Sequence, residues 1–102
     1  MSASISTHVL DTRRGTPARG LRVELFRRNV RLSAQVTDAD GRIADLARTP
    51  LRPGVYRLVF RPGRRGGFFS RIEVEFVVAD ARRHYHIPLL LAPYACMTYR
   101  GS

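Results

Sequence analysis

The chain has 102 residues, 44% of them apolar and 9% aromatic, enough for one globular domain with a single core and too few for two. Its formal net charge is +10, and every one of its 18 basic residues is an arginine. No apolar run approaches the roughly 18 residues of a membrane span, so a membrane-embedded chain is not expected.

The uniform arginine bias reads as genome composition. The pairs Arg13-Arg14, Arg27-Arg28, Arg64-Arg65 and Arg82-Arg83 stand mostly beside turn residues and are not interleaved with aromatics, so no nucleic-acid partner is expected. Cys96 is the single cysteine and can form no internal disulfide, and with three histidines and no second Cys no metal cluster can be built on it. Residues 1–5 carry no positive charge and lead into an alternating segment rather than an apolar leader. Cytoplasmic residence is the expectation.

Short alternating segments separated by Gly, Pro and Asp clusters predict a sandwich of antiparallel strands, and no long segment reads as a helix. Residues 5–10 form the first strand, with Ile5, Thr7 and Val9 facing the core and His8 facing away. A loop rich in Arg, Gly and Pro follows. In the next strand Leu21, Val23 and Leu25 oppose Arg22 and Glu24, and residues 30–36 make another. The Asp and Gly residues of 37–41 mark a turn, after which a short strand is expected near 43–46.

Residues 55–60 read as a strand and 62–67 as a loop. Ile72, Val74, Phe76 and Val78 then alternate with Arg71, Glu73 and Glu75, the clearest such pattern in the chain. Residues 84–91 form the seventh strand, in which Pro88 demands an edge, a bulge or an irregularity. A final segment follows Pro93. The whole of residues 1–102 makes one domain of about eight strands, with no internal repeat or linker.

Period-two geometry places His84 and His86 on one face of their strand, opposite Tyr85, Ile87 and Leu89. Histidine suits acid or base work because its ordinary pKa is ~6.5, although a lone histidine is more often a surface or structural residue. Arg42, after the Asp40-Gly41 turn, is by itself one solvated arginine among many. The end of the chain is more unusual. Tyr94, Tyr99 and Arg100 fall in its last nine residues, so a packed terminus is expected, with the free carboxylate of Ser102 at a fixed place.

Three blocks in order carry a resemblance: Ser6-Thr7-His8-Val9-Leu10-Asp11; Thr37-Asp38-Ala39-Asp40-Gly41-Arg42; and His84-Tyr85-His86-Ile87-Pro88-Leu89-Leu90-Leu91 with Pro93-Tyr94 and Thr98-Tyr99-Arg100-Gly101-Ser102. Together they resemble the signature blocks of the 5-hydroxyisourate hydrolases of the transthyretin-like family, and the terminal Tyr99-Arg100-Gly101-Ser102 separates these from hormone-carrying transthyretin. The resemblance implies an all-β, transthyretin-like Greek-key sandwich, assembled as a homotetramer that is a dimer of dimers with active sites between the dimers. It implies hydrolytic opening of the ring of 5-hydroxyisourate, on the route from urate to allantoin, with no metal or organic cofactor. By residue matching, the catalytic group is His8, Arg42, His86 and Ser102, substrate is bound by His8, Arg42, Tyr99 and Arg100, and His84 supports them. The family's helix is expected to be shortened or absent, because the stretch 60–71 is short and Arg64, Arg65, Gly66 and Gly67 look like a bare loop. Ala95-Cys96-Met97 also departs from the family pattern, without removing a residue assigned to chemistry. Two other readings compete. A small-ligand carrier predicts an apolar channel, and a non-catalytic interaction domain predicts no convergence of these side chains.

Overall fold

In the computed structural model, which describes residues 3–101, two sheets pack face to face. The strands are β1 (Ser4–Asp11), β2 (Thr16–Pro17), β3 (Arg22–Arg27), β4 (Val30–Val36), β5 (Arg42–Ile43), β6 (Gly54–Arg61), β7 (Ile72–Val78), β8 (His84–His86), β9 (Leu89–Leu91) and β10 (Cys96–Thr98). One sheet runs β10-β9-β1-β2, with β5 and β8 also paired to β1, and the other runs β4-β3-β6-β7. The expected all-β architecture holds. Ten strand segments replace the expected eight, because the seventh strand is broken in two and β2 is a two-residue addition. The strand expected near 43–46 contracts to β5, since Asp45 Oδ1 accepts the backbone N–H groups of Ile5 and Ala47 and bends the chain there.

Period two is obeyed where it matters. Along β1, Ile5, Thr7, Val9 and Asp11 are buried and alternate with half-buried residues. The core between the sheets contains Ile5, Val9, Val23, Leu25, Tyr56, Leu58, Phe60, Leu89 and Leu91. Burying each large apolar side chain contributes roughly 1.5–3 kcal/mol before chain entropy is counted. Ile72, Val74 and Phe76 on β7 pack against this core from the sheet edge and are only partly buried.

Pro88 produces an irregularity inside the sheet rather than at its edge. Lacking an N–H, it interrupts the parallel ladder between β1 and the 84–91 segment, yet β8 and β9 keep one register, with Ser6 opposite His86 and Val9 opposite Leu89. The buried Thr7 hydroxyl bridges the gap by donating to Ile87 O at 2.7 Å. The loop at 62–67 holds a single 3₁₀ turn, Gly63–Gly66, so the family helix is shortened to one turn and is not a wholly bare loop. No helix among the described residues is long and apolar enough to cross a membrane.

Candidate active site

The outer, non-core face of β1 presents Ser4, Ser6 and His8 in a row. On one side, β5 runs antiparallel and sets Arg42 directly opposite His8. On the other, β8 runs parallel and sets His84 beside Ser4 and His86 beside Ser6. Side chains of directly opposed antiparallel residues start about 4.5–5.5 Å apart at Cβ, so His8 and Arg42 share one patch. The three separated sequence blocks meet on this face.

Local structure aims each group. Asp38 Oδ1 accepts the N–H of Asp40 and of Arg42, both at 2.9 Å, and Gly41 adopts φ 73° so that the chain can press against Val9. This turn delivers Arg42 to β1. The aromatic ring of Tyr85 is buried on the inner face and fixed through its hydroxyl, which bonds Asp80 N at 2.9 Å and Asp80 O at 3.0 Å. His84 and His86 therefore project outward, His84 exposed and His86 half-buried.

A cleft of about 390 Å³ on this face is lined by Ser6, Thr7, Asp38, Arg42, Ile43, Ala44, His84 and His86. Ser6 Oγ lies 2.7 Å from His86 Nδ1 and 2.7 Å from His84 Nε2. His86 is held below the ordinary histidine pKa, first by burial and then by the electrostatic effects of His84, Arg42 and His8 on its protonated form. The shift favours its neutral form, which is able to accept a proton. Among the described residues no group of three or more His, Cys, Asp or Glu side chains is placed to hold a metal ion.

The end of the chain is packed, as expected, but not by its aromatic rings. Tyr94 is 83% exposed and Tyr99 55% exposed. The segment is fixed by pairing of β10 with β9, by Thr98 Oγ1 donating to Pro88 O at 2.8 Å, and by Gly101 N donating to His86 O at 2.7 Å. Arg100 stacks on Tyr85, its guanidinium carbon 4.7 Å from the ring centroid. Within one chain that places Arg100 on the core-side face of β8, away from the imidazoles, and Tyr99 and Arg100 border a different cleft with Val74 and Phe76. Ser102 lies outside the described residues.

Sequence reasoning missed Ser4, Ser6 and Asp38 as members of the site. Ser6 and Asp38 stood inside the quoted blocks, but nothing in strand periodicity says which strand will lie alongside β1.

This architecture, two packed sheets with a polar patch of His, His and Arg on the outer face of one of them, is that of a transthyretin-like domain. Residues 5–101 match the model of the HIUase/Transthyretin family, and the chain belongs to that family. It is 41% identical to the 5-hydroxyisourate hydrolase of Halalkalibacterium halodurans, an alignment covering 100% of both chains. The solved structure of Klebsiella pneumoniae 5-hydroxyisourate hydrolase superposes with a TM-score of 0.90 at 41% identity, covering 100% of each chain. Sea bream transthyretin in complex with thyroxine superposes with a TM-score of 0.87 at 27% identity, over 96% of this chain and 94% of that one.

Proposed function

We infer that this chain is an enzyme, a cyclic amide hydrolase that opens the ring of 5-hydroxyisourate to 2-oxo-4-hydroxy-4-carboxy-5-ureidoimidazoline in urate degradation. The observation that carries this reading is the His8–Arg42 pair set beside His86 in a chain that matches hydrolases of that name over its full length. Hydrolysis of an acyl–nitrogen bond needs a base for the attacking water and a cation for the oxyanion that develops on the carbonyl. In the reading proposed here, neutral His86 is the base. Arg42, with His8 at its side, orients the planar substrate and meets the developing charge through its forked donors. Ser102 is assigned to the same group through the terminal block, and His84 supports His86.

The fully assembled site is proposed to form in a homotetramer, a dimer of dimers, as a single-domain protein of residues 1–102 in the cytoplasm, needing no metal or organic cofactor. Because Arg100 is engaged by Tyr85 within one chain, it and Tyr99 would reach substrate across an interface between copies. The alternative of a carrier such as the thyroxine-binding sea bream protein is disfavoured by the polar lining of the cleft, which includes Asp38, Arg42, His84 and His86.

The test is the ultraviolet decay of 5-hydroxyisourate made freshly from urate by an oxidase, with and without the protein. Decay well above the spontaneous rate, lost in His86→Ala, is the expected result. Decay at the spontaneous rate would overturn the reading.

A further inference from the structure

On the outer face of the sheet, two hydroxyls and two imidazoles form one hydrogen-bonded chain. Ser6 Oγ touches His86 Nδ1 and His84 Nε2, and His84 Nδ1 in turn bonds Ser4 Oγ. A serine hydroxyl has one proton, so Ser6 cannot donate to both rings. It accepts from one and donates to the other, which gives the chain a direction. With His86 Nδ1–H donating to Ser6, Ser6 donating to His84 Nε2, and His84 Nδ1–H donating to Ser4, every contact has one donor and one acceptor. That direction leaves a lone pair on His86 Nε2, to which none of the described residues donates. The reverse direction would put a proton there, in a cleft that His86 shares with Arg42, whose positive charge favours a lone pair instead.

We propose that Ser6, backed by His84 and Ser4, is a positioning and proton-relay residue that fixes His86 as its Nδ1–H tautomer. The relay serves the hydrolysis inferred above. As the attacking water adds to the carbonyl carbon, its proton goes to His86 Nε2, the Nδ1 proton moves to Ser6 Oγ, and the Ser6 proton moves to His84 Nε2. Positive charge then rests on exposed His84, where Ser4 accepts a hydrogen bond from it, and not on half-buried His86. Breaking of the ring acyl–nitrogen bond runs the chain backwards. The Nε2 proton goes to the departing nitrogen, His84 returns a proton to Ser6, Ser6 returns one to Nδ1, and the site is as it began.

Two measurements test this, one without substrate. Nitrogen-15 NMR of the histidine rings at a pH where both are neutral should show His86 as Nδ1–H in the wild type, and a return towards Nε2–H, the form free imidazole side chains prefer, in Ser6→Ala. The wild-type spectrum decides the tautomer whether or not the variant folds, and it stands apart from whether 5-hydroxyisourate is turned over. In mixtures of light and heavy water, kcat of the wild type should depend on deuterium content along a curve, as transfer of more than one proton requires. Ser6→Ala should make that dependence linear and lower kcat roughly ten- to a hundred-fold with KM unchanged. Ser6→Thr, which keeps the hydroxyl, should restore both. An Nε2–H tautomer in the wild type, a Ser6→Ala enzyme with wild-type kcat and curvature, or a Ser6→Thr enzyme as impaired as Ser6→Ala would each overturn the relay.

Discussion

His8 and Arg42 lie directly opposite one another across the antiparallel β1–β5 pair, one on the longest strand of its sheet and the other on a strand of two residues. The shortness of β5 makes Arg42 dependent on its turn. Asp38 Oδ1 accepts the Arg42 N–H and Gly41 makes the turn just before it, while Arg42 itself is exposed and free to meet a substrate.

Arg42→Ala is therefore expected to lower kcat/KM by roughly a hundred- to a thousand-fold, the usual cost of losing one group that meets developing charge. Stability should change by less than about 0.5 kcal/mol, because an exposed side chain is removed. Arg42→Lys should recover only part of the loss, since an ammonium cannot reproduce the planar fork. Absorbance kinetics and urea melts on the same preparations check both halves. A drop in stability matching the drop in rate would make Arg42 structural instead.

The depressed pKa of His86 makes its own pH prediction. Its base form persists below pH ~6.5, so the acid limb of kcat/KM should have its midpoint below that value. His84→Ala removes the largest of the three neighbouring electrostatic effects and should move the limb up. The stability effect has a definite sign. The folded protein binds a proton at His86 less readily than the unfolded chain does, so this stability is present above ~6.5 and is lost as pH falls through the folded pKa. Urea melts of wild type and His86→Gln between about pH 5 and 7.5 should diverge in that direction.

Gly101 is glycine because of the His86 ring. A Cβ at this position would stand 2.5 Å from His86 Cδ2 and 3.2 Å from Cγ, and no real Cβ tolerates the first of these. Either the ring turns or the terminal strand leaves. Gly101→Ala should accordingly cut kcat by more than about tenfold while costing only about 1 kcal/mol of stability, since the rest of the segment remains tied through β10 and Thr98. A fully active Gly101→Ala enzyme would show that the ring has room to move.

Much of this geometry could be read from strand periodicity alone. Alternation placed His8 away from the core and put His84 and His86 on one face, because side-chain direction in a strand depends only on position along it. Pro88 announced its interruption because a proline cannot donate to a ladder. Strand pairing was not legible, since parallel registers such as Ser4 with His84 and Ser6 with His86 belong to two strands about eighty residues apart. Hence Ser4 and Ser6 passed unnoticed. The aromatic rings of the terminus misled for a related reason: Tyr94 and Tyr99 looked like anchors, whereas the anchoring is done by the β9–β10 ladder, the Gly101 N–H and the Thr98 hydroxyl. Arg100 matched the family motif, yet its place over Tyr85 depends on the Gly101–His86 register.

Glu24 gives the last prediction, on the other sheet. Alternation placed it outward with Arg22, but it is nearly buried by arginines arriving from neighbouring strands: Arg61 Nε bonds Oε1, while Arg22 and Arg31 approach Oε2 at 3.3 and 3.2 Å. The hydrogen bond from Arg61, followed by those from Arg31 and Arg22, holds the carboxyl below its ordinary pKa against an opposing effect of burial. Glu24→Gln keeps the shape, removes the charge and leaves three guanidinium groups side by side. It should destabilise the fold by about 1.5–3 kcal/mol, the range for hydrogen bonds to a charged group. Because the arginines are about half exposed, the loss should shrink in high salt. The folded pKa is depressed, so the contribution is present above the unfolded value of ~4.3 and disappears as pH falls through the folded one. Glu73, which pairs with Arg57 and Arg71 in a much more open place, is the control, and Glu73→Gln should cost no more than about 0.5 kcal/mol. Urea melts at pH 7 decide between them, and equal losses in the two variants would mean that the arginine cluster around Glu24 adds nothing beyond an ordinary surface pair.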